Sequence, residues 1–162
     1  MKESPLNGKR ILVVDDELDV LDTMEEILSM CRVTTAQTFE EARRRIEEEP
    51  FDFAILDIMG VDGYELLEIA NQKGIPAVML TAHALNVENT VKSFRKGAAY
   101  YVPKEEMERM PTFLEDIVEA RESGKSTMRR WLERLTSYYD KQFGPDWKKE
   151  HQNFWDNIPP WY

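Results

Sequence analysis

Short apolar runs alternate with charged segments of helical periodicity along the first three quarters of the chain. The five runs typical of buried strands occupy residues 10–15, 32–37, 51–58, 75–82 and 98–102. After each of them, apolar residues recur at helical spacing, over residues 17–30, 38–49, 63–74, 86–97 and 111–123. Continuous apolar strands that alternate with amphipathic helices predict a doubly wound α/β fold, a five-stranded parallel sheet with helices on both faces.

The pattern changes after residue 123, where "SGKS" breaks the alternation and offers Ser126 as a helix N-cap. A helix is predicted over residues 127–143 and a second, shorter one over 145–157, followed by an extended end. One stripe of the longer helix carries Met128, Trp131, Leu132, Leu135, Tyr138, Tyr139 and Phe143. We therefore divide the chain into a domain at residues 1–123 and an aromatic-rich helical extension at residues 124–162.

The extension differs from the domain in charge and in aromatic content. The whole chain has a net charge of -10, whereas residues 124–162 carry seven basic and five acidic side chains. All the tryptophans lie in this extension: Trp131, Trp147, Trp155 and Trp161. Such residues are expected to be buried, either by packing on the domain and on each other or in a docking or dimerisation surface. So small a positive charge is no footprint for nucleic acid, and no DNA binding is expected.

The remaining composition excludes several other classes of protein. The single cysteine, Cys31, cannot form an internal disulfide and is expected to be a buried, inert thiol. The first ten residues lack the apolar core of a signal peptide, and no apolar run is long enough to span a bilayer. We expect a soluble, cytoplasmic protein that does not associate with membranes.

Polar side chains follow nearly every predicted strand of the domain. Asp15 and Asp16 end the first strand, Asp57 the third and Thr81 the fourth, and the fifth runs into Lys104. In parallel sheets these ends meet at one edge, where ligands bind. Clustered carboxylates repel one another, so a divalent cation such as Mg²⁺ is their expected partner. The set suits phosphoryl transfer onto a carboxylate, with Asp57 as nucleophile and Lys104 as a second cation.

The sequence resembles the receiver domain of two-component response regulators. The matching pieces are "ILVVDDE", "FDFAILDI", "DGYELL", "PAVMLTA" and "KGAAYYVPK", and the resemblance covers roughly residues 9–122. It implies a flavodoxin-like fold with strand order 2-1-3-4-5. It also implies that a sensor histidine kinase or a phosphotransfer protein is the phosphoryl donor, and that the surface switched by phosphorylation contacts a downstream protein partner or a second copy.

The resemblance assigns roles to individual residues of the site. Asp15 and Asp16 correspond to the acidic pair that holds Mg²⁺, and Asp57 to the phosphorylated aspartate, which is also a metal ligand. The main-chain carbonyl of Met59 takes the third metal-ligand position. Lys104 corresponds to the lysine that pairs with the phosphoryl group.

Two further residues correspond to the family's switch. Thr81 matches the hydroxyl residue that moves onto the phosphoryl oxygens, and Tyr101 the aromatic residue that then turns inward. His83, two residues after Thr81, either tunes the access of water to the phosphoryl group or is simply exposed. Such a domain promotes its own phosphorylation and dephosphorylation but is not classed as an enzyme.

Two stretches depart from the family pattern. The segment after Asp57, "IMGVDG", lacks the usual proline and is about two residues shorter before its glycine, so the Met59 carbonyl can be displaced. Pro103 precedes Lys104, whereas the family has its proline after the lysine, so the loop that carries the lysine can also differ.

Three alternatives remain beside the phosphoacceptor hypothesis. A degenerate receiver would act as a binding scaffold through its aromatic extension, without phosphorylation. An aspartyl-phosphate phosphatase would need a second acid two residues after the nucleophile, where Met59 stands. A flavin carrier would need a phosphate loop rich in hydroxyl groups and glycine after the first strand, where "VVDDELD" is acidic instead.

Overall fold

A computed structural model describes residues 4–158 of the chain. The strands are β1 (Arg10–Val14), β2 (Arg32–Ala36), β3 (Phe53–Asp57), β4 (Ala77–Thr81) and β5 (Tyr100–Pro103). The helices are α1 (Leu18–Ile27), α2 (Phe39–Glu48), α3 (Gly63–Gln72), α4 (Val87–Arg95), α5 (Met110–Ser123), α6 (Thr127–Phe143) and α7 (Gln152–Asp156). Short 3-10 helices span Ala82–Ala84, Lys104–Arg109 and Lys149–His151.

The five strands form one parallel sheet in the order β2-β1-β3-β4-β5, which confirms the predicted fold. Every residue of β3 and β4 is buried, because these strands lie inside the sheet and helices cover both faces. The less apolar β2 is an edge strand with mostly half-buried residues. The continuous apolar runs at residues 51–58 and 75–82 therefore correspond to inner strands of the sheet. The carboxyl ends of these strands lie between those of their neighbours.

Two helices begin with a side-chain cap, and the cap at Ser126 confirms the one predicted from sequence. The side chain of Thr38 accepts a hydrogen bond from the Glu41 N–H at 3.2 Å, and Ser126 accepts one from the Arg129 N–H at 3.2 Å. Each bond satisfies a main-chain donor that the first turn leaves unpaired. The helix α6 consequently begins at Thr127, where the sequence pattern placed it.

The second helix of the extension is shorter than predicted. Instead of a helix over 145–157, the chain turns at Gly144 (φ 86°) and continues through the 3-10 helix Lys149–His151 into α7. Main-chain hydrogen bonds in this stretch join residues three apart, from the Trp147 N–H to the Gly144 oxygen and from the Lys149 N–H to the Asp146 oxygen, which is a 3-10 and not an α-helical pattern. The predicted extended end at residues 158–162 lies outside the described residues except for Ile158.

The extension packs on the domain, as the first of its two interpretations has it. Met128, Trp131, Leu135 and Tyr139 of α6 are buried, and α6 contacts α5 and β5. Trp147 and Trp155 are also buried, whereas Trp161 lies outside the described residues.

Among the described helices, none combines the length and apolar character needed to cross a membrane. Cys31 is only partly buried, contrary to expectation, and its Sγ contacts the Leu6 main-chain oxygen at 3.4 Å.

Candidate functional site

The carboxyl ends of the strands bring the predicted site residues to one edge of the sheet. Val14 pairs with Leu56, so Asp15 and Asp57 occupy the next position on neighbouring strands. Both carboxyl groups are buried, with residue exposures of 0% and 4%. Thr81 ends the adjacent strand β4 and is also buried. Charged groups in the interior are kept only where they have partners, so the two buried carboxylates require a local counter-charge.

Lys104 supplies that counter-charge. It directly follows β5, and its ammonium nitrogen lies 3.0 Å from Asp15 Oδ2, 3.4 Å from Glu17 Oε1 and 3.8 Å from Asp57 Oδ1. Its side chain is 13% exposed, so solvent weakens its pairs with the buried Asp15 and Asp57 little, whereas the Glu17 side chain is 63% exposed and its pair is screened. The lysine therefore faces three carboxylates at once, which places a fixed cation beside the predicted nucleophile.

The electrostatic balance still disfavours the ionised nucleophile. Burial, with a further contribution from the charge of Asp15, raises the pKa of Asp57 from 3.8 to about 6, against the opposing effect of Lys104. Burial likewise raises the pKa of Asp15. For Lys104, burial disfavours the ammonium, but its hydrogen bond and charge interactions with the carboxylates outweigh this effect and raise its pKa. The site therefore holds more negative charge than one ammonium can balance.

The donor set of the acidic cluster fits a hard divalent cation. Asp15, Asp16 and Glu17 each offer a carboxylate oxygen within 4.8 Å of the others. Asp15 is oriented by the Glu17 N–H, which donates to its Oδ1 at 2.9 Å, and Asp16 is exposed and reachable from solvent. Mg²⁺ prefers a few carboxylate oxygens and keeps several waters, and a half-open set of this kind satisfies both needs.

The short loop after β3 depends on two glycines that approach the acidic residues closely. A Cβ on Gly60 would lie 2.4 Å from Asp16 Oδ1, and a Cβ on Gly63 would lie 2.2 Å from the main-chain oxygen of Asp57. The Gly60 N–H also donates to Asp57 Oδ2 at 3.3 Å. Met59 lies in the same loop, with its side chain pointing to solvent at 70% exposure. The shortened segment is thus accommodated by close packing of Gly60 on the Asp16 carboxylate and of Gly63 on the Asp57 main chain.

The predicted switch residues lie next to a strained loop. Tyr101 is fully buried and its hydroxyl donates to the Ala84 main-chain oxygen at 2.6 Å. His83, Ala84 and Leu85 have left-handed backbone conformations, with φ between 53° and 58°. Residues with a Cβ avoid this region, so contacts from elsewhere must hold these three residues in place.

Sequence reasoning missed two residues near the site. Glu17 joins the acidic cluster and pairs with Lys104; the third carboxylate of "DDE" was its only signal. Glu105 accepts a hydrogen bond from the His83 N–H at 3.0 Å, and its other carboxylate oxygen lies 3.3 Å from His83 Nδ1. The sequence spacing of the two residues does not predict this contact, because they belong to separate loops.

Comparisons with known proteins agree with this geometry. Residues 11–115 match the family model described as the response regulator receiver domain. The probable transcriptional regulator ycf27 of Cyanophora paradoxa is 38% identical over 104 residues, which covers 61% of this chain and 43% of that protein. The CheY-like receiver domain protein of Methanospirillum hungatei is 33% identical with a TM-score of 0.63, over 72% of this chain and 98% of that chain.

A further solved structure is the BeF3-activated receiver domain of DrrB, from Thermotoga maritima. It is 31% identical with a TM-score of 0.61, over 69% of this chain and 98% of that chain. The chain spans less than half the length of the curated relatives that it matches. Because two of these relatives are named as probable transcriptional regulators, the expectation that the protein does not bind DNA is not supported.

The family model covers well over half of the chain, and its match coincides with the sheet order and the strand-end residues described above. The chain belongs to the response regulator receiver family, whose members are signalling domains of phosphorylation-based two-component systems.

Proposed function

We propose that the protein is a phosphoacceptor switch in which Asp57 receives a phosphoryl group from a sensor histidine kinase or a phosphotransfer protein. The observation that carries this proposal is the position of Lys104, whose ammonium lies 3.8 Å from Asp57 Oδ1 and 3.0 Å from Asp15 Oδ2. A cation fixed beside a buried carboxylate stabilises negative charge that arrives with a phosphoryl group.

In the proposed reaction a carboxylate oxygen of Asp57 forms a bond to phosphorus while the bond from phosphorus to the donor's imidazole nitrogen breaks. The imidazole leaves with the electron pair of that bond, and the acyl phosphate remains on Asp57. Bound Mg²⁺ would neutralise the phosphoryl oxygens. Asp15, Asp16, Asp57 and the Met59 main-chain carbonyl would hold it.

Thr81 and Tyr101 would convert the modification into a change of surface. A phosphoryl group has three acceptor oxygens, and the Thr81 hydroxyl lies at the end of the strand next to Asp57. Movement of this hydroxyl would change the loop that follows it, which contacts Tyr101 through Ala84. The result would be a shift between two populated states rather than turnover of a substrate, so we class the protein as a signalling switch and not as an enzyme.

We further propose that residues 1–123 form the receiver and that residues 124–162 form an added helical extension. The helix α5 ends at Ser123 and Gly124 adopts a left-handed conformation (φ 69°), which supports a boundary there. A downstream protein or a second copy of the chain would respond to the phosphorylated surface. We also propose that the protein works in the cytoplasm, together with its phosphoryl donor.

Intact-protein mass spectrometry tests the proposal. The full chain is incubated with Mg²⁺ and acetyl phosphate, beside Asp57→Asn and a matched Asp22→Asn control, which removes an exposed carboxylate of α1. One added phosphoryl group is expected on the wild type and on the control, none on Asp57→Asn, and none after the metal is chelated. Failure of the wild type to be modified by acetyl phosphate or by any kinase would favour a scaffold that works without phosphorylation.

A further inference from the structure

The extension covers the edge strand and the helices beside it. Trp131 of α6 donates its indole N–H to the Tyr101 main-chain oxygen at 2.6 Å, and Tyr139 shares a hydrogen bond of 2.6 Å with Thr90 of α4. Tyr101 has no exposed surface, although β5 is an edge strand, because the extension lies over it. The extension therefore covers the surface formed by α4, β5 and α5 and occupies it as an intramolecular partner.

An ion pair and stacked rings fix the extension in this position. Arg134 donates two hydrogen bonds to the buried Asp116 carboxylate of α5, at 3.0 Å and 3.1 Å. The Trp131 ring stacks on Trp155 with centroids 5.7 Å apart and meets the Tyr139 ring edge-on at 5.0 Å. Bidentate pairs and aromatic clusters of this kind favour a single geometry, so they hold α6 in one orientation on α5 and β5.

Two routes lead from α6 to the strained loop beside Thr81. In the first, the Tyr138 hydroxyl donates to Glu105 Oε1 at 2.5 Å, and Glu105 Oε2 accepts the His83 N–H. In the second, Trp131 holds Tyr101, whose hydroxyl holds the Ala84 main-chain oxygen. We call the first route the latch: Tyr138, Glu105 and His83.

The latch joins the two segments that carry the donors for a phosphoryl group on Asp57. His83 lies two residues after Thr81, and Glu105 lies one residue after Lys104. A phosphoryl group would draw the Thr81 hydroxyl and the Lys104 ammonium to the same oxygens, and so would bring the two segments together. The hydrogen bond from His83 to Glu105 requires the same closeness.

We propose that docking of the extension and phosphorylation of Asp57 stabilise one another, with Glu105 and Tyr138 as positioning residues that couple them. This inference rests on the proposed phosphoacceptor function. Coupling between two sites is reciprocal. The latch and the phosphoryl group both favour the arrangement in which the segments after Thr81 and Lys104 lie close together, so each of them stabilises the other. The extension thus reinforces the phosphorylated arrangement, and phosphorylation tightens the extension rather than releasing it.

Hydrogen exchange of the full chain, followed by mass spectrometry, tests the latch without any phosphoryl group. Tyr138→Phe removes the hydroxyl that holds Glu105 but keeps the ring in place. In this variant, amides of residues 82–86 should exchange at least about fivefold faster than in the wild type. A factor of about five is the lower end of the range typical for coupled sites. The matched control is Thr136→Val, which removes another hydroxyl of α6 that lies outside the latch and bonds only the Leu132 main-chain oxygen of the same helix. Unchanged exchange of residues 82–86 in Tyr138→Phe overturns the proposal.

The direction of coupling is tested with Mg²⁺ and beryllofluoride, a mimic of the phosphoryl group, whose binding is observed independently by ¹⁹F NMR. With beryllofluoride bound, amides of residues 127–143 should exchange about fivefold more slowly in the wild type, and less so in Tyr138→Phe. Bound beryllofluoride with unchanged or faster exchange in this helix overturns the inference. Absence of a bound ¹⁹F signal instead counts against the phosphoacceptor function. In that case the exchange measured for Tyr138→Phe without beryllofluoride still tests whether the latch holds residues 82–86.

Discussion

Replacing Asp57 by asparagine should stabilise the fold, although it removes the proposed phosphorylation site. The carboxyl pKa is about 6 in the folded protein and 3.8 for the free side chain, because burial and the charge of Asp15 disfavour ionisation. The folded state therefore binds this proton more tightly than the unfolded state. The stability that the proton provides is fully present below about pH 4 and is lost as the pH rises to about 6.

The size of the effect follows from the shift in pKa. About two pKa units correspond to roughly 3 kcal/mol of destabilisation above pH 7, where the wild-type carboxylate is ionised in both states. An asparagine remains neutral at every pH and keeps an oxygen for the Gly60 N–H. We expect Asp57→Asn to raise the free energy of unfolding by about 3 kcal/mol at pH 8 and by little at pH 4.

Urea denaturation followed by circular dichroism at pH 4, 6 and 8 measures this difference. Asp22→Asn is the control, because it also removes one negative charge but from an exposed position on α1. Its effect on stability should stay within about 0.5 kcal/mol at each pH. The reasoning is refuted if Asp57→Asn gains as much at pH 4 as at pH 8, or if it loses stability at pH 8.

Three further substitutions probe the loop after β3 and the extension, each measured by urea denaturation at pH 7. Gly63→Ala should cost about 2–3 kcal/mol, since its Cβ would meet the rigid main-chain oxygen of Asp57 at 2.2 Å; a neutral result would show that the loop can shift. Trp131→Phe should cost about 2–4 kcal/mol, because it opens a cavity and leaves the Tyr101 oxygen without its indole donor. Ser126→Ala should cost about 1 kcal/mol through loss of the α6 cap, and no cost would mean that α6 is held by packing alone.

The fold was predictable because its central strands have a recognisable sequence pattern. Strands buried on both faces have continuous apolar sequences, and those at residues 51–58 and 75–82 enclose the observed β3 and β4. The predicted strands and helices are mostly a few residues too long, because the sequence pattern does not show at which residue the main-chain hydrogen bonding ends. The order of strands came only from the family resemblance, because sequence periodicity contains no information on which strands are neighbours.

The candidate site was predictable to the extent that its residues follow the strands. Asp15, Asp57 and Lys104 end or follow their strands, and a parallel sheet brings such positions together. Glu105 was missed because its partners come from a loop and from α6, which no local pattern connects to it. The stripe on α6 likewise predicted burial but could not identify the covering surface, since any apolar face would satisfy it.

The charge of the site explains why the proposed reaction should require a metal. Three carboxylates face Lys104, and the nearby Asp16 adds a fourth. Converting the Asp57 carboxylate into an acyl phosphate would add about one more negative charge at pH 7. Two like charges 4 Å apart repel by roughly 4 kcal/mol at the effective dielectric constant of a protein surface. Burial and the charge of Asp15 raise the pKa of Asp57 despite the opposing effect of Lys104, so we expect a divalent cation to bind before or together with the phosphoryl group.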